Sequence, residues 1–275
     1  MILHKLIFGL VSKVDRDIAE EYVEYYISAL FHNGQACGEY FTVIENGELC
    51  AYINLQNIEA SLEKYHCEYG NKWLKKIIQL FPSAPVWKII DDELPVKNLD
   101  WNDAPFLYLF ASYDECESPI YRGDNGSSIP LYKLAGTHED REKVYFWQRE
   151  YRDLDAIWMR CGDLEVPAYK QLATPVSSLS ASGKEICEHI ENVTGKPTYY
   201  YLMRYWGRRS GEETRHCPKC GHDWNHEINQ NSENAAFHQF DFICHNCRLV
   251  SHLSVSNEDE RHAVIGEWRH SKKSN

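Results

Sequence analysis

The sequence predicts an α+β protein built in three parts, and three observations support this. Strand and helix patterns alternate over the first ninety residues. Helical segments rich in aromatic residues occupy the middle of the chain, and two Cys-x-x-Cys pairs lie near the C-terminus. At 275 residues with 43% hydrophobic content, the chain is long enough to bury a sizeable core.

The N-terminal part begins with a predicted strand over residues 2–11, where apolar residues alternate. Its apolar start is interrupted by charge and has no small-residue cleavage site, so we interpret it as a strand and not as a signal peptide. Asp15 can cap a helix that runs to about His32. A hairpin should follow, because Asn46-Gly47 stands between alternating apolar positions and favours a type I′ turn.

The second half of this part has a helical period over residues 58–81, which we expect to bend at Gly70, and a short strand at 86–90. The order strand, helix, strand, strand, helix, strand is that of the split βαβ, or ferredoxin-like, fold, which we predict for residues 1–95. RNA-recognition modules share this order. Their aromatic signature is absent here, since the third strand offers only Tyr52.

Residues 96–206 are predicted to form an α/β middle region packed on the first. Strands at 106–112 and 128–135 should flank a loop, and Thr137 should cap a long amphipathic helix that Gly162 closes. The remaining predicted elements are a loop or short helix at 166–175, a helix at 180–195 ended by Gly195, and a strand at 197–206.

The C-terminal part follows a polar stretch, 207–215, that we interpret as a linker. Together with this linker, the C-terminal part covers residues 207–256, and it contains four of the ten cysteines in two pairs. A polar tail follows at 257–275. The other cysteines are scattered singly, which is unlike a disulfide scaffold. We therefore expect a reducing cytoplasm.

The paired cysteines predict a metal site at Cys217, Cys220, Cys244 and Cys247. Two Cys-x-x-Cys knuckles that face each other give a tetrahedral thiolate shell, with sulfurs about 2.3 Å from zinc. Gly221 suits the first turn, and Asn246 tolerates unusual angles in the second. We predict a zinc ribbon; a rubredoxin-like iron site and a redox-active dithiol remain alternatives. Nearby histidines could replace a cysteine, but we interpret them as surface residues: His216, His222, His226, His238 and His245.

Residues 147–252 resemble a bacterial family described as uncharacterised zinc-ribbon-containing proteins with a suggested nucleic-acid-binding role. The resemblance is carried by YRDLDAIWMRCGDLE, AYKQLATPVSSLSASGKEIC, TGKPTYYYLMRYWGR and the CPKCG and CHNCRLVSH knuckles. It implies a zinc ribbon at the four paired cysteines and a role in nucleic-acid binding.

The charge balance separates the functional hypotheses. The chain has a formal net charge of −12, which excludes a general nucleic-acid coat. Basic residues are nevertheless concentrated beside the predicted ribbon, where aromatic residues could stack on bases. Our first hypothesis is RNA or DNA binding through this patch, whose residues are Arg204, Arg208, Arg209, Arg215, Lys219 and Trp224.

The second hypothesis is a protein-binding module, such as an inhibitor, antitoxin or immunity-type protein. Its acidic body would meet a basic partner such as a nuclease or toxin. Catalysis is the weakest hypothesis, because the sequence contains no nucleophile elbow, Walker loop or dinucleotide glycine run. With no run of about 18 apolar residues, we expect no membrane span.

Overall fold

The structure is a computed structural model that describes residues 1–90, 100–114, 116–134, 136–225 and 236–268. The chain divides into two compact units. Unit 1 contains residues 1–99, 116–118 and 128–145, and unit 2 contains residues 100–115, 119–127 and 146–275. In the described part of the chain, no helix is both long and apolar enough to cross a membrane.

Unit 1 has the predicted order of strands and helices. The elements are β1 (Ile2–Leu10), α1 (Arg16–His32), β2 (Ala36–Glu45), β3 (Glu48–Leu55), α2 (Glu68–Leu80) and β4 (Val86–Ile89). Local signals position them as expected. The Asp15 side chain accepts hydrogen bonds from the backbone N–H groups of Asp17 and Ile18, and Asn46 and Gly47 both have positive φ at the hairpin turn.

The strands of unit 1 form a sheet in the order β2-β3-β1-β4, and every neighbouring pair is antiparallel. This is the ferredoxin-like arrangement predicted from the sequence. One face of the sheet packs on the helices, because alternate strand residues such as Leu6, Phe8, Ala51 and Ile53 share a buried core with Val23 of α1. An α+β fold is therefore confirmed.

The prediction of one helix over residues 58–81 is wrong at its start. Two 3₁₀ turns occupy Ile58–Ser61 and Glu63–Tyr65, and α2 begins only at Glu68. The Cys67 side chain accepts a hydrogen bond from the Gly70 N–H, so it caps the helix and interrupts the earlier period.

His66 is a buried titratable side chain in unit 1. Its Nε2 lies 3.3 Å from the Tyr26 hydroxyl, and its buried Nδ1 has no hydrogen-bond partner. Burial disfavours the charged imidazolium and lowers the pKa of His66 from 6.5 to about 4. The folded state therefore binds this proton less readily than the unfolded state does.

We expect unit 1 to lose stability between pH 7 and pH 5 through His66. Because the folded pKa is depressed, the contribution is full above about pH 6.5 and is lost as the pH falls towards 4. The loss over that interval should be about 2 kcal/mol. Urea unfolding at both pH values measures it, and His66→Gln should show a smaller difference than the wild type. Equal losses in both proteins would contradict the assignment.

Unit 2 contains the remaining elements, and α3 begins in unit 1 and ends in unit 2. They are β5 (Leu107–Leu109), β6 (Ile120–Arg122), α3 (His138–Met159), α4 (Glu165–Ala173), α5 (Ser178–Thr194), β7 (Thr198–Tyr201), β8 (Phe242–Cys244), β9 (Leu249–Ser251) and α6 (Glu260–Ala263). Thr137 and Asp140 cap α3 reciprocally, and Gly195 ends α5 with a φ of 68°. The strand predicted at 128–135 is wrong, because Leu131–Lys133 is a 3₁₀ turn and β6 comes earlier.

The strands of unit 2 form one mixed sheet in the order β6-β5-β7-β9-β8. The pairs β5–β7 and β7–β9 are parallel, whereas the two edge pairs are antiparallel. The strands on either side of the second knuckle, β8 (which ends at Cys244) and β9, therefore continue the sheet that β5 and β7 begin. Tyr108, Tyr121, Tyr199 and Phe240 form an aromatic core on this sheet.

The segment interpreted as a linker, residues 207–215, lies within unit 2. The Gly207 N–H donates to the Ser256 carbonyl over 2.8 Å, and the Arg208 N–H donates to the Glu212 carboxylate over 3.1 Å. Gly207 also packs so closely that a Cβ there would lie 1.8 Å from the Ser254 hydroxyl oxygen. These contacts hold the segment in place against residues 254–256.

Candidate metal centre

The four paired cysteines meet in unit 2. The Sγ atoms of Cys217, Cys220, Cys244 and Cys247 all lie within 4.8 Å of one another. Cys217 and Cys244 are buried, whereas Cys220 and Cys247 are half-buried. No disulfide joins any of the ten cysteines. In the described ranges, this is the one group of cysteine, histidine or carboxylate side chains close enough to hold a metal ion.

The first knuckle is a tight turn that requires glycine. The Gly221 N–H donates to the Cys217 carbonyl over 2.8 Å, and the Cys217 N–H donates to the His222 carbonyl over 2.9 Å. Gly221 has a φ of 72°, and a Cβ at this position would lie 2.4 Å from the Trp268 ring. Both the turn and the close approach of Trp268 therefore depend on the absence of a side chain at Gly221.

The second knuckle has no glycine, but it also has a residue with positive φ directly after its second cysteine. Asn246, the residue expected to take the unusual angle, does not have a positive φ; Arg248 does, at 50°. Arg248 follows Cys247 as Gly221 follows Cys220. Its guanidinium is held by the Glu191 carboxylate on α5 over 2.7 and 2.9 Å. This ion pair helps to fix a backbone conformation that L-residues adopt at a cost.

The spacing of the sulfurs fits a tetrahedral metal ion. With metal–sulfur bonds of about 2.3 Å, the edges of a thiolate tetrahedron measure about 3.8 Å. Cys220 Sγ and Cys244 Sγ are 3.7 Å apart. Four soft thiolate donors in a closed shell suit zinc or iron and do not suit magnesium or calcium, which prefer oxygen.

Local hydrogen bonds affect the two cysteines of the first knuckle differently. Burial opposes ionisation of Cys220, but hydrogen bonds from the His222 backbone and side chain and from neighbouring thiols lower its pKa to about 6. Burial raises the pKa of Cys217 to about 12. Of the two cysteines in the first knuckle, Cys220 is therefore the one more readily converted to a thiolate.

The histidines near the cluster do not replace a cysteine ligand in the part of the chain that is described. His216, His222 and His245 are exposed, and the His245 Nδ1 lies 2.7 Å from the Tyr199 hydroxyl. His226 lies outside the described residues.

Two residues of the predicted nucleic-acid patch are packed inside unit 2. Trp224 is 2% exposed, stacks on Phe242 and donates from its indole N–H to the Arg215 carbonyl. The Arg215 guanidinium lies 4.2 Å from the centre of the Phe242 ring and donates to the Ser251 hydroxyl and the His252 carbonyl. Burial lowers the pKa of Arg215 to about 9, which still leaves it charged at neutral pH.

Arg204, a third residue of that patch, is 3% exposed and forms a buried ion pair. Its Nε and Nη2 donate to the two Glu212 carboxylate oxygens over 2.7 and 2.8 Å. Its Nη1 donates to the carbonyls of Ala263 and Ile265, beyond the second knuckle. Arg204 follows β7 in the chain, so its planar guanidinium connects this part of unit 2 to the C-terminal segment that contains Ala263 and Ile265. In this structure the guanidinium is not accessible to a phosphate.

The remaining basic residues of the patch are exposed. Arg208 is paired with Glu267, to which its Nε donates over 2.7 Å. Arg209 and Lys219 are exposed. A contact to nucleic acid in this region would therefore depend on Arg209 and Lys219, with Arg208 available only if its pairing with Glu267 is broken.

Sequence reasoning missed the acidic partners of these arginines. Glu212 lies in the stretch interpreted as a linker, and Glu267 lies in the predicted polar tail. Burial by itself would raise the pKa of Glu212, but hydrogen bonds and charge from Arg204 and the other arginines hold it below its usual value. The one signal for this network was the local excess of arginine, which we interpreted as a ligand surface.

The fold and the cysteine cluster define an α+β protein with a candidate four-thiolate metal centre. Three families described as domains of unknown function match the chain in succession: DUF8589 over residues 1–91, DUF2310 over 102–203 and DUF8594 over 207–257. An uncharacterised protein of Haemophilus influenzae is 33% identical over 171 residues, which cover 61% of this chain and 81% of that protein. The chain belongs to the same bacterial family as this relative.

A second uncharacterised protein of Haemophilus influenzae is also 33% identical, and the match covers 61% of this chain and 63% of that protein. Among solved structures, an antibiotic biosynthesis monooxygenase is similar, with 11% sequence identity and a TM-score of 0.26. The match covers 34% of this chain and 100% of that chain. Rv0793 from Mycobacterium tuberculosis is also similar, with 12% sequence identity and a TM-score of 0.25. The match covers 36% of this chain and 98% of that chain.

Proposed function

We propose that Cys217, Cys220, Cys244 and Cys247 hold a structural zinc ion and form a zinc ribbon. The fit of the sulfur spacing to a thiolate tetrahedron supports this proposal. A shell closed by four protein ligands leaves no position for water or substrate. The ion would therefore stabilise the fold of unit 2 and take no part in a reaction.

Purified full-length protein is expected to contain one zinc ion per chain, as measured by elemental analysis. Cys220→Ser should lose it, because three thiolates no longer close the shell, whereas Cys161→Ser, at an exposed cysteine outside the cluster, should keep it. Iron in place of zinc, with a red protein, would contradict the choice of metal. Protein that contains neither metal and takes up neither on addition would contradict a metal centre.

We further propose that the protein acts by binding another protein, and the observation that carries this is the outward face of α1. Asp17, Glu21 and Glu24 are exposed there, beside Ile18 and Tyr25, which are 39% and 44% exposed. Carboxylates around apolar side chains suit a basic partner that also buries apolar surface on binding. The chain's net charge of −12 favours the approach of such a partner.

Nucleic-acid binding is the second candidate function, and the exposure of Arg209 and Lys219 favours it. It ranks below protein binding because Arg204, Arg215 and Trp224 already have partners inside unit 2. About two to three phosphate contacts would remain, which predicts a log–log salt slope near −2 to −3.

A capture experiment with matched charge-reversal variants separates the two functions. Full-length protein is cross-linked in lysate with and without nuclease treatment, and in both samples we expect recovery of a basic protein in stoichiometric amount. A triple variant of α1 (Asp17→Lys, Glu21→Lys, Glu24→Lys) should lose it, because like charges then meet. The double variant Arg209→Glu, Lys219→Glu should keep it. The opposite pattern, with partners lost on nuclease treatment, would support nucleic-acid binding instead.

A further inference from the structure

The face of the unit 1 sheet opposite the helices is not part of its core. In β1, Leu6 and Phe8 point into the core shared with α1 and α2, so Lys5 and Ile7 point to the other side. Residues directly opposite each other on neighbouring strands share a face. The pairing register therefore identifies the residues of this second side, which we call the open face.

Two neighbouring rows of side chains lie in the middle of the open face. The central row is Val86, Ile7, Cys50 and Val43. The adjacent row is Lys88, Lys5, Tyr52 and Phe41. Phe41 stacks on Tyr52 with ring centres 5.2 Å apart, which agrees with this register. These two rows are thus largely apolar, with a lysine pair on one side.

Both edges of the open face are accessible. Phe41 on β2 is 58% exposed, and Val86 on β4 is 50% exposed. β2 is also an edge strand, and its successive residues 41–44 are all exposed. Long apolar edge strands and apolar patches of this kind are usually covered by another chain, because they otherwise promote aggregation.

The charges on the open face favour one occupant. Lys5 and Lys88 are balanced by Glu45 and Glu48, which share this face at the hairpin end. Lys5 pairs with Glu45 within the chain. The face is therefore neutral overall, although the whole chain carries −12. Two copies of so acidic a chain repel each other elsewhere, but they can meet through a neutral face that contains both signs.

We propose that the open face is an interface between two copies of this chain, paired by a two-fold axis. Such an interface is self-complementary, so a face with apolar rows and balanced charges can pack on itself. Four strands about 4.8 Å apart and about 25 Å long give roughly 500 Å² in projection for each copy. The total of about 1,000 Å² is at the lower limit of a specific interface, so we expect a dimer that dissociates on dilution.

Sedimentation analysis of the full-length protein tests this proposal over about 1 to 300 μM, the range expected for a small interface. The wild type should pass from monomer to dimer across this range. Phe41→Glu and Val86→Glu should each raise the dissociation constant at least about tenfold, because a two-fold interface receives two like charges from one substitution. Both positions are exposed at the edges of the sheet, so circular dichroism should report an unchanged fold.

The matched control is Val176→Glu, which adds the same charge at a valine that is 80% exposed in unit 2. It should leave the dissociation constant of the dimer unchanged. Wild-type protein that stays monomeric over the whole range would overturn the proposal. A dimer that withstands both open-face substitutions, or that Val176→Glu weakens equally, would overturn it as well.

Discussion

Cys244→Ser is expected to release the metal and to unfold the part of the unit 2 sheet that contains β8 and β9. Apparent binding free energies of structural zinc are about 10–16 kcal/mol in isolated fingers, so loss of one ligand should cost well over about 5 kcal/mol. Cys244 is 5% exposed at the end of β8, which pairs with β9. Amide hydrogen exchange of the full chain measures the effect.

The expected pattern of exchange is specific. Protection should fall over residues 242–251 and remain in β1 to β4, since unit 1 has a core of its own. Treating the wild type with a chelator should reproduce the pattern, and Cys161→Ser should leave it unchanged. Full zinc content or undiminished protection in Cys244→Ser would show that this cysteine is not a metal ligand.

Arg204→Ala is expected to cost about 3–5 kcal/mol of unfolding free energy, because it leaves the Glu212 carboxylate buried without its bidentate partner. It also removes the donors to the Ala263 and Ile265 carbonyls. Urea unfolding measures the loss. Arg209→Ala, at an exposed arginine on the same stretch, should change stability by no more than about 0.5 kcal/mol. A loss below about 1 kcal/mol in Arg204→Ala would mean that water or other side chains replace the pair.

The ion pair between Arg204 and Glu212 also predicts that the free energy of unfolding depends on pH in the acidic range. The pKa of Glu212 is lowered in the folded protein, so its contribution is full above the unfolded pKa of about 4.3 and is lost as the pH falls through the lower folded value. Comparison of the wild type with Glu212→Gln below pH 5 isolates this contribution. The variant should be less stable at pH 7 and should lose less of its remaining stability in acid.

Signals confined to a few neighbouring residues predicted most of the local structure. Asp15 as a helix cap, Asn46-Gly47 as a turn and Gly195 as a helix end all depend on contacts within one or two turns of chain. The cluster of four cysteines was also predictable, because each Cys-x-x-Cys knuckle is a local turn and the two knuckles need only face each other. Sequence spacing is sufficient where the geometry is local.

Long-range pairing explains what the sequence could not predict. Arg204 lies far along the chain from Ala263 and Glu267, and no periodicity connects them. Composition alone therefore made these arginines resemble a phosphate-binding surface, although burial against Glu212 gives Arg204 a structural role. The parallel pairs β5–β7 and β7–β9 were equally inaccessible, since parallel neighbours are joined by long connections.

Because β7 lies between β5 and β9, the sheet of unit 2 cannot be completed until late in synthesis on the ribosome. Synthesis proceeds from the N-terminus, so β5 and β7 are made before β9 and the second cysteine pair. Phe240, which packs on aromatic residues of β5 and β7, is also still missing at that time. Unit 1 draws on residues no later than 145 and can fold first. We expect nascent chains that end before β9 (Leu249–Ser251) is complete to expose an unfinished sheet edge. The chain should therefore need a chaperone most during this interval of synthesis.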